Sequence, residues 1–359
     1  MKNFSKLFPV LNQYTYLNTA ASGLLSIPVL EWRQEHDLDF LVMGSKLTDQ
    51  QGKVLSSVRE KVGKLFSCAA NRVALTPNFS YGMNTLVEGI TSSKKVLLLK
   101  EDYPSVLWPF TSRNFEVSYT DIDANLEENV RSAFAKAQPD IFAFSMVQWL
   151  NGIKINQEFL RQLKTDYPDT LLIADGTQYM GTEVFDFDNS PFDVIGASTY
   201  KWMNAGYGNA IFLFKEEVAQ KIALKTTGFN SIQGKYKPHE GSFLGHFEPG
   251  HQDSLNFGSL GVAIDLIHQI GMSTIQEHIE AIAKKAKSAF TERGLLEDAV
   301  VHRSAHSSIF NLKGDQSLVQ RLDDNNIICV ARGPGVRVSF QYYNTEKDLQ
   351  LLLDVLDAK

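Results

Sequence analysis

Between residues 94 and 214 the chain alternates short apolar runs with amphipathic stretches. The stretches Leu126–Ala137 and Gln157–Tyr167 repeat apolar residues at helical spacing, and a proline follows the end of each. The apolar runs predict strands at Val96–Leu99, Val117–Ile122, Ile141–Val147, Leu171–Ala174, Val194–Ala197 and Ala210–Phe214. Strands that alternate with helices are typical of an α/β fold with a mostly parallel sheet, which places ligand sites at the carboxyl ends of its strands.

After residue 258 the pattern changes to long amphipathic helices, predicted over residues 260–294. The remaining elements are predicted as strands at Ser308–Leu312, Ile327–Ala331 and Val336–Phe340, a helix at Gln316–Asp324 and a closing helix from Thr345. Since 359 residues exceed the usual size of one core, we expect two domains and a cleft. The large domain is predicted over residues 16–258 and a smaller α+β domain over 259–359, with residues 1–15 lying near the smaller one.

Composition narrows the class of function. A chain with 43% hydrophobic and 21% charged residues is typical of a globular protein. A net charge of -6 without a Lys/Arg cluster argues against nucleic acid as a partner and favours a small molecule. Cys68 and Cys329 are too far apart in sequence for a CxxC metal site or a disulfide framework, so no metal is predicted. With no signal-peptide core or membrane-length run, we expect a cytoplasmic protein that does not enter a membrane.

Two of the predicted strands lead into polar residues. Asp175 ends the run 171–175, and Lys201 follows the run 194–197 after Ser198, Thr199 and Tyr200. A lysine next to a buried strand is costly unless its amine is neutralised, paired or made into an imine, which makes Lys201 a candidate nucleophile. Lys201 could instead reach solvent, as strand-end lysines commonly do, and Asp175 could merely cap the following turn.

A candidate anion site lies upstream. The turn Asn78-Phe79-Ser80 precedes an amphipathic helix, whose first turn presents free amide groups and the positive end of the helix dipole. Ser80 could also serve as the N-cap of this helix, and that role is compatible with binding an anion.

The windows 171–178 and 192–202 resemble the active-site signature of the class V aminotransferase family, fold type I enzymes that include cysteine desulfurases and kynureninases. The matching residues are Asp175, Gln178, Ser198 and Lys201. The resemblance implies the aspartate-aminotransferase-like fold with a sheet of the seven-stranded type, and pyridoxal 5'-phosphate carried by Lys201 as a Schiff base. It also implies that Asp175 pairs with the pyridine nitrogen, because a protonated ring is the stronger electron sink.

The resemblance extends to the other contacts of the cofactor. The backbone of Phe79 and the hydroxyl of Ser80 are expected at the phosphate. Tyr200, where many members have histidine, and Ser198 are expected there too. For the ring, the resemblance implies Tyr103 stacked on its face, Gln178 over its phenolic oxygen, and Gln148 at that oxygen or the substrate.

The remaining matches concern the substrate and the partner subunit. Arg337 falls where the family binds the substrate's α-carboxylate; Arg332 could exchange roles with it, and a solvated strand arginine is the alternative. Ala21 and Ser22 match the segment that lines the substrate pocket. His251 lies in the loop that reaches the neighbouring subunit's phosphate, where members often have threonine. A homodimer with its sites at the subunit interface is implied.

The predicted function is a pyridoxal-phosphate enzyme acting on an amino acid, with aminotransfer as the broadest family activity. The alternatives are a kynureninase-like or selenocysteine/cysteine lyase-like enzyme, and an inactive relative that only binds a phosphate ligand. A persulfide mechanism is not expected. Cys329 lies in an apolar run that predicts a buried strand, and residues 332–335 leave no room for a cysteine-bearing loop.

Overall fold

The computed structural model describes residues 4–229, 231 and 243–358. Its strands are β1 (Thr15–Tyr16), β2 (Val73–Thr76), β3 (Lys95–Leu99), β4 (Glu116–Thr120), β5 (Ile141–Ser145), β6 (Leu171–Asp175), β7 (Val194–Ser198), β8 (Ala210–Phe214), β9 (Ile309–Lys313), β10 (Ile327–Ile328), β11 (Val330–Arg332) and β12 (Gly335–Ser339). Its α-helices are α1 (Ile27–Met43), α2 (Thr48–Phe66), α3 (Phe79–Glu88), α4 (Pro104–Thr111), α5 (Leu126–Ala137), α6 (Gln157–Asp166), α7 (Val218–Lys221), α8 (Ser254–Ile270), α9 (Met272–Glu292), α10 (Asp298–His302), α11 (Gln316–Asp324) and α12 (Glu346–Asp357).

Seven strands form the central sheet in the order β2-β8-β7-β6-β5-β3-β4. The pairs from β4 through β7 are parallel, and β8 runs antiparallel to both of its neighbours. The predicted α/β fold with a mostly parallel sheet is therefore confirmed, and each predicted strand of this region is present with its ends within two residues of the prediction. Strand β2 was not predicted.

Apart from the edge strand β4, the sheet is buried on both faces, which explains why its inner strands are apolar in sequence. In β6, Leu171 and Ile173 belong to one hydrophobic core, whereas Leu172 and Ala174 belong to the core on the opposite face. Successive side chains of a strand point to opposite faces, so a strand covered on both sides needs apolar residues throughout. Polar residues are then confined to strand ends, where Asp175 lies.

The N-terminal segment joins the C-terminal part of the chain. β1 pairs in parallel with β10, and the backbone N–H of Ser339 donates to the Leu17 carbonyl at 2.8 Å. A separate antiparallel sheet has the order β11-β12-β9. Helix α8 contacts α1 and α2, and the boundary that the sequence placed between residues 258 and 259 lies within this helix. Where the two domains divide stays a prediction.

The predicted strand Ile327–Ala331 is wrong in one respect, because two strands take its place. β10 pairs with β1, β11 pairs with β12, and Cys329 lies half-buried where the chain changes partners. The long helices predicted over residues 260–294 are α8 and α9. Gly271, with φ +95°, ends α8 and separates the two. Within the described ranges, no helix has both the length and the apolar character needed to cross a bilayer.

Candidate active site

Asp175 and Lys201 meet at the carboxyl edge of the central sheet. Asp175 is the last residue of β6, Lys201 follows β7, and these two strands are parallel neighbours. Both side chains face one cavity. Its lining residues are Asn78, Phe79, Ser80, Tyr103, Ser145, Val147, Trp149, Asp175, Thr177, Gln178, Ser198, Tyr200 and Lys201.

Burial shifts the pKa values of the acid and the amine of this cavity in opposite directions. Asp175 is 5% exposed and Lys201 is 7% exposed. Burial raises the pKa of Asp175 and lowers the pKa of Lys201, while the attraction between the two charges opposes both shifts. One Asp175 oxygen accepts a hydrogen bond from the Thr177 backbone N–H at 2.8 Å, which holds the carboxyl group in place. The amine therefore reaches its neutral, nucleophilic form at a lower pH than an exposed lysine would.

Aromatic rings surround the amine. Lys201 Nζ lies 5.7 Å from the ring centroids of both Tyr103 and Tyr200. The Tyr103 ring meets Trp149 edge-on at 5.8 Å, and Tyr200 stacks on Tyr207 at 4.5 Å. Aromatic rings beside the amine can pack against the face of a planar heterocycle.

The start of α3 supplies the anion-binding end of the cavity. Asn78, not Ser80, is the N-cap of this helix, since its side chain accepts a hydrogen bond from the Tyr81 N–H at 2.8 Å. The Phe79 N–H donates to Ser198 Oγ at 3.3 Å, and the Ser198 N–H donates to Thr177 Oγ1 at 3.1 Å. Amide and hydroxyl groups thus converge at a helix N-terminus, as a phosphate requires. Thr177 was not predicted, although it stands between two residues that were.

Gln178 lines the cavity, but its amide group is largely engaged by the protein. Its Nε2 donates to the Ala20 carbonyl at 2.9 Å, and its Oε1 accepts from Trp202 Nε1 at 2.7 Å. These bonds fix the side chain between the N-terminal segment and the Lys201 loop. One N–H hydrogen is left for a ligand, so the predicted contact with the phenolic oxygen stays a prediction.

The N-terminal segment lies directly against the Lys201 loop. The Gly23 N–H donates to the Tyr200 carbonyl at 3.0 Å, and a Cβ at Gly23 would collide with the Lys201 carbonyl oxygen. Ser22 accepts a hydrogen bond from the Tyr207 hydroxyl at 3.0 Å. Ala21 and Ser22 therefore lie beside the loop, but outside the set of residues that line the cavity.

Gln148 lies outside the set of residues that line this cavity, and its predicted contact with the cofactor or substrate stays a prediction. Its Nε2 donates to the Glu101 carbonyl at 3.1 Å, its Oε1 accepts from the Leu150 N–H at 2.7 Å, and it lines a neighbouring cavity instead. Trp149 takes its place beside Lys201, and the indole Nε1 is buried without a hydrogen-bond partner among the described residues. A buried N–H of this kind awaits an acceptor, since leaving it unsatisfied costs about 1–3 kcal/mol.

Asp102 is a second buried acid that the sequence did not single out. Its carboxylate accepts hydrogen bonds of 2.7 Å from the backbone N–H groups of Tyr103 and Ser145, and burial raises its pKa. These bonds tie Tyr103 to the end of β5. Asp102 thus positions the aromatic ring that faces Lys201.

Arg337 is a buried cation at the edge of the site. It is 3% exposed, one of its terminal nitrogens donates to the Trp149 carbonyl at 2.7 Å, and its Nε has no partner among the described residues. Burial and the neighbouring charge of Arg332 lower the pKa of Arg337 to about 10. Arg337 is not among the residues that line the cavity, but its hydrogen-bond partner Trp149 is. A buried guanidinium with an Nε left unpaired by the described residues suits a carboxylate ligand at this position.

The loop that carries His251 is anchored just before that residue. Buried Glu248 pairs with Arg59 and accepts a hydrogen bond from the Leu75 N–H of β2 at 2.9 Å. His251 itself is exposed and stacks on Phe229 with 5.2 Å between ring centroids. The predicted contact of this loop with a neighbouring subunit stays a prediction.

Two curated relatives align with nearly the whole chain. The uncharacterized aminotransferase YcbU of Bacillus subtilis is 20% identical over 100% of this chain and 98% of its own length. A probable cysteine desulfurase of Ureaplasma parvum is 20% identical over 99% of this chain and 97% of its own.

Solved structures share the fold. A cysteine desulfurase from Thermococcus onnurineus has a TM-score of 0.84 at 18% identity, covering 99% of this chain and 98% of its own. The cystine C-S lyase C-DES has a TM-score of 0.85 at 18% identity, covering 98% of this chain and 99% of its own. The family model described as Aminotransferase class-V matches residues 15–352. The chain therefore belongs to the class V aminotransferase family of pyridoxal-phosphate-dependent enzymes.

Proposed function

We propose that this protein is a pyridoxal-phosphate-dependent aminotransferase that acts on an amino acid in the cytoplasm as a homodimer. The observation that carries the proposal is the buried amine of Lys201 beside the buried carboxyl group of Asp175, in a cavity that also contains the start of α3. A relative named as an aminotransferase aligns along the whole chain and supports transfer of the amino group.

The residues of the cavity fit the cofactor at both ends. The Phe79 amide, with the hydroxyls of Ser80 and Ser198, would hold the phosphate at the start of α3. Thr177 positions Ser198 by accepting a hydrogen bond from its backbone N–H. Tyr200 shares this cavity and is the further phosphate ligand that we propose. The positive end of the helix dipole favours a doubly charged anion at this position.

The reactive half of the site consists of an acid, an amine and a ring. Asp175 would hold the proton of the pyridine nitrogen, and Tyr103 would cover one face of the ring. Lys201 would bind the cofactor covalently and then move a proton at the α-carbon of the substrate. When bound, pyridoxal phosphate supplies an electron sink for the charge that develops at that carbon. Arg337 would orient the amino acid by its carboxylate.

A lyase is the second candidate, and the names of other similar proteins support it. The structural neighbours include a cysteine desulfurase and a cystine C-S lyase. An aminotransferase and a lyase use the same cofactor and differ in which bonds of the amino acid are broken.

A screen of amino acids against the cofactor-loaded protein tests the proposal. We expect the visible absorbance of the bound cofactor to change with the true substrate, and a keto acid to form when the amino group is transferred. Release of sulfide, or of ammonia with pyruvate, would instead establish a lyase. Protein that retains no imine absorbance once unbound pyridoxal phosphate has been removed would support an inactive phosphate-binding relative.

Replacing Arg337 by alanine should separate substrate binding from cofactor binding. We expect KM for the amino acid to rise by about 10- to 100-fold, because a charged hydrogen-bonded contact is lost. The dissociation constant of pyridoxal phosphate should change less than about two-fold, since no phosphate contact is removed. Arg293→Ala is the matched control, because Arg293 pairs with Asp357 at the surface. Equal weakening of both ligands would show that the pocket is misplaced.

The two cysteines are not expected to act as nucleophiles. Burial raises the pKa of Cys68 and of Cys329 to about 11, so little thiolate forms near neutral pH. We expect the variant with both cysteines replaced by serine to keep turnover within about two-fold of the parent enzyme. Steady-state assays with the best substrate of the screen measure this. Lost turnover in a folded, cofactor-loaded Cys329→Ser variant would contradict the expectation and revive a persulfide mechanism.

A further inference from the structure

A second arginine lies on the same sheet face as Arg337. In the β11–β12 hairpin, Val330 is opposite Arg337 and Arg332 is opposite Gly335. Residues directly opposite each other on paired strands point to the same face of a sheet, and so do residues two positions apart on one strand. Arg332 and Arg337 are therefore diagonal neighbours on that face.

Arg332 has no internal partner in the described part of the chain. Its backbone carbonyl accepts a hydrogen bond from Asn311 Nδ2 at 2.8 Å, but its guanidinium makes no ion pair or hydrogen bond with a described residue. Its side chain is exposed, whereas that of Arg337 is buried. Burial lowers the pKa of Arg337 and of Lys201, and the positive charge of Arg332 lowers both further. The charge of Arg332 therefore lies close to the site.

Two positive charges on neighbouring positions of one sheet face repel each other, and an anion between or beside them removes that repulsion. One carboxylate satisfies Arg337, which would bind the α-carboxylate, and leaves the outer arginine unpaired. An amino acid with a second anionic group on its side chain would neutralise both. The alternative, an arginine that only reaches solvent, predicts no preference for acidic substrates.

We propose that Arg332 binds an anionic group on the substrate side chain, so that the preferred amino acid is acidic, such as aspartate, glutamate or O-phosphoserine. This inference rests on the proposed function, in which Arg337 binds the α-carboxylate. It assigns Arg332 a role in substrate choice, distinct from the chemistry at Lys201.

The test is a spectral titration of the cofactor-loaded protein with matched acidic and neutral amino acids. We expect aspartate or glutamate to bind at least about 10-fold more tightly than asparagine or glutamine, as one charged contact allows. O-Phosphoserine, compared with serine, distinguishes a phosphate from a carboxylate. In Arg332→Gln the advantage of the acid should disappear, while binding of the neutral amino acid changes less than about two-fold. Arg321→Gln is the matched control, since Arg321 is exposed and donates to the Ala358 carbonyl in another part of the surface.

Two outcomes would overturn the inference alone. One is equal affinity for acid and amide in the parent protein with normal cofactor binding. The other is an Arg332→Gln variant that binds acidic and neutral amino acids equally less well. If no amino acid changes the absorbance, or if the cofactor is not on Lys201, the proposed function fails and this inference fails with it.

Discussion

Lys201→Ala is expected to lower kcat by at least about 10³-fold, because both the covalent link to the cofactor and proton transfer at the substrate need this amine. No other lysine lines the cavity within the described residues. The fold should survive the change. The buried amine is costly to charge, and Asp175, whose pKa is raised by burial, can take up a proton when its partner is removed, so no unpaired buried charge need remain.

The measurement combines turnover with mapping of the cofactor. Borohydride reduction of the loaded parent protein, followed by peptide mass spectrometry, should place the adduct on Lys201, and the alanine variant should give none. Lys100→Ala is the matched control, since Lys100 follows β3 at the same edge of the sheet and pairs with Asp121 at the surface. An adduct on any other lysine of the parent protein would contradict the central assignment.

The fold could be predicted because its strands carry a strong local signal. Runs of apolar residues bounded by helices and prolines predict a doubly covered parallel sheet, and the seven-stranded sheet agrees. β2 has four residues just before Pro77, and only its pairing with β8 makes it a strand. The break at Cys329 arises because β10 and β11 pair with different parts of the chain. A contact with a distant segment leaves no pattern in the local sequence.

The candidate site was predictable where it follows regular strands. Asp175 and Lys201 come at or just after the ends of adjacent parallel strands, so alignment of the strands is enough to bring them together. Which residue near Gln148 lines the cavity was not predictable, because β5 ends at Ser145 and beyond a strand end the alternation of side chains no longer tells which residue faces inward. The turn uses the Gln148 amide to bind its own backbone and presents Trp149 to the cavity.

Asp102 shows a further limit of the sequence. The local sequence does not distinguish Asp102 from its neighbours Glu101 and Tyr103. Only the folded structure, with its hydrogen bonds from Tyr103 and Ser145, shows that Asp102 is buried. A carboxylate that accepts backbone N–H groups can be buried without a cation. The burial of Asp102 between the Tyr103 and Ser145 backbones is therefore a property of the folded chain.

Asp175→Asn is expected to lower kcat by about 10²- to 10³-fold while pyridoxal phosphate still binds. The substitution keeps the shape of the side chain, and its amide oxygen can still accept the Thr177 N–H hydrogen bond. What is lost is the negative charge, which alone can hold a proton on the pyridine nitrogen. The phosphate end of the site lies at α3 and Ser198, so the affinity for the cofactor should fall far less than the rate.

Steady-state kinetics and a cofactor titration, performed on the same preparations, measure this separation. Asp121→Asn is the control, since it also removes one carboxylate near the carboxyl edge of the sheet, but from a surface ion pair. The burial that raises the pKa of Asp175 makes its negative charge costly, and a cationic ring beside it would offset that cost. The parent protein should therefore gain more thermal stability from pyridoxal phosphate than the asparagine variant does. A variant that turns over within a few-fold of the parent, with an equal gain in Tm, would show that Asp175 is only a turn residue.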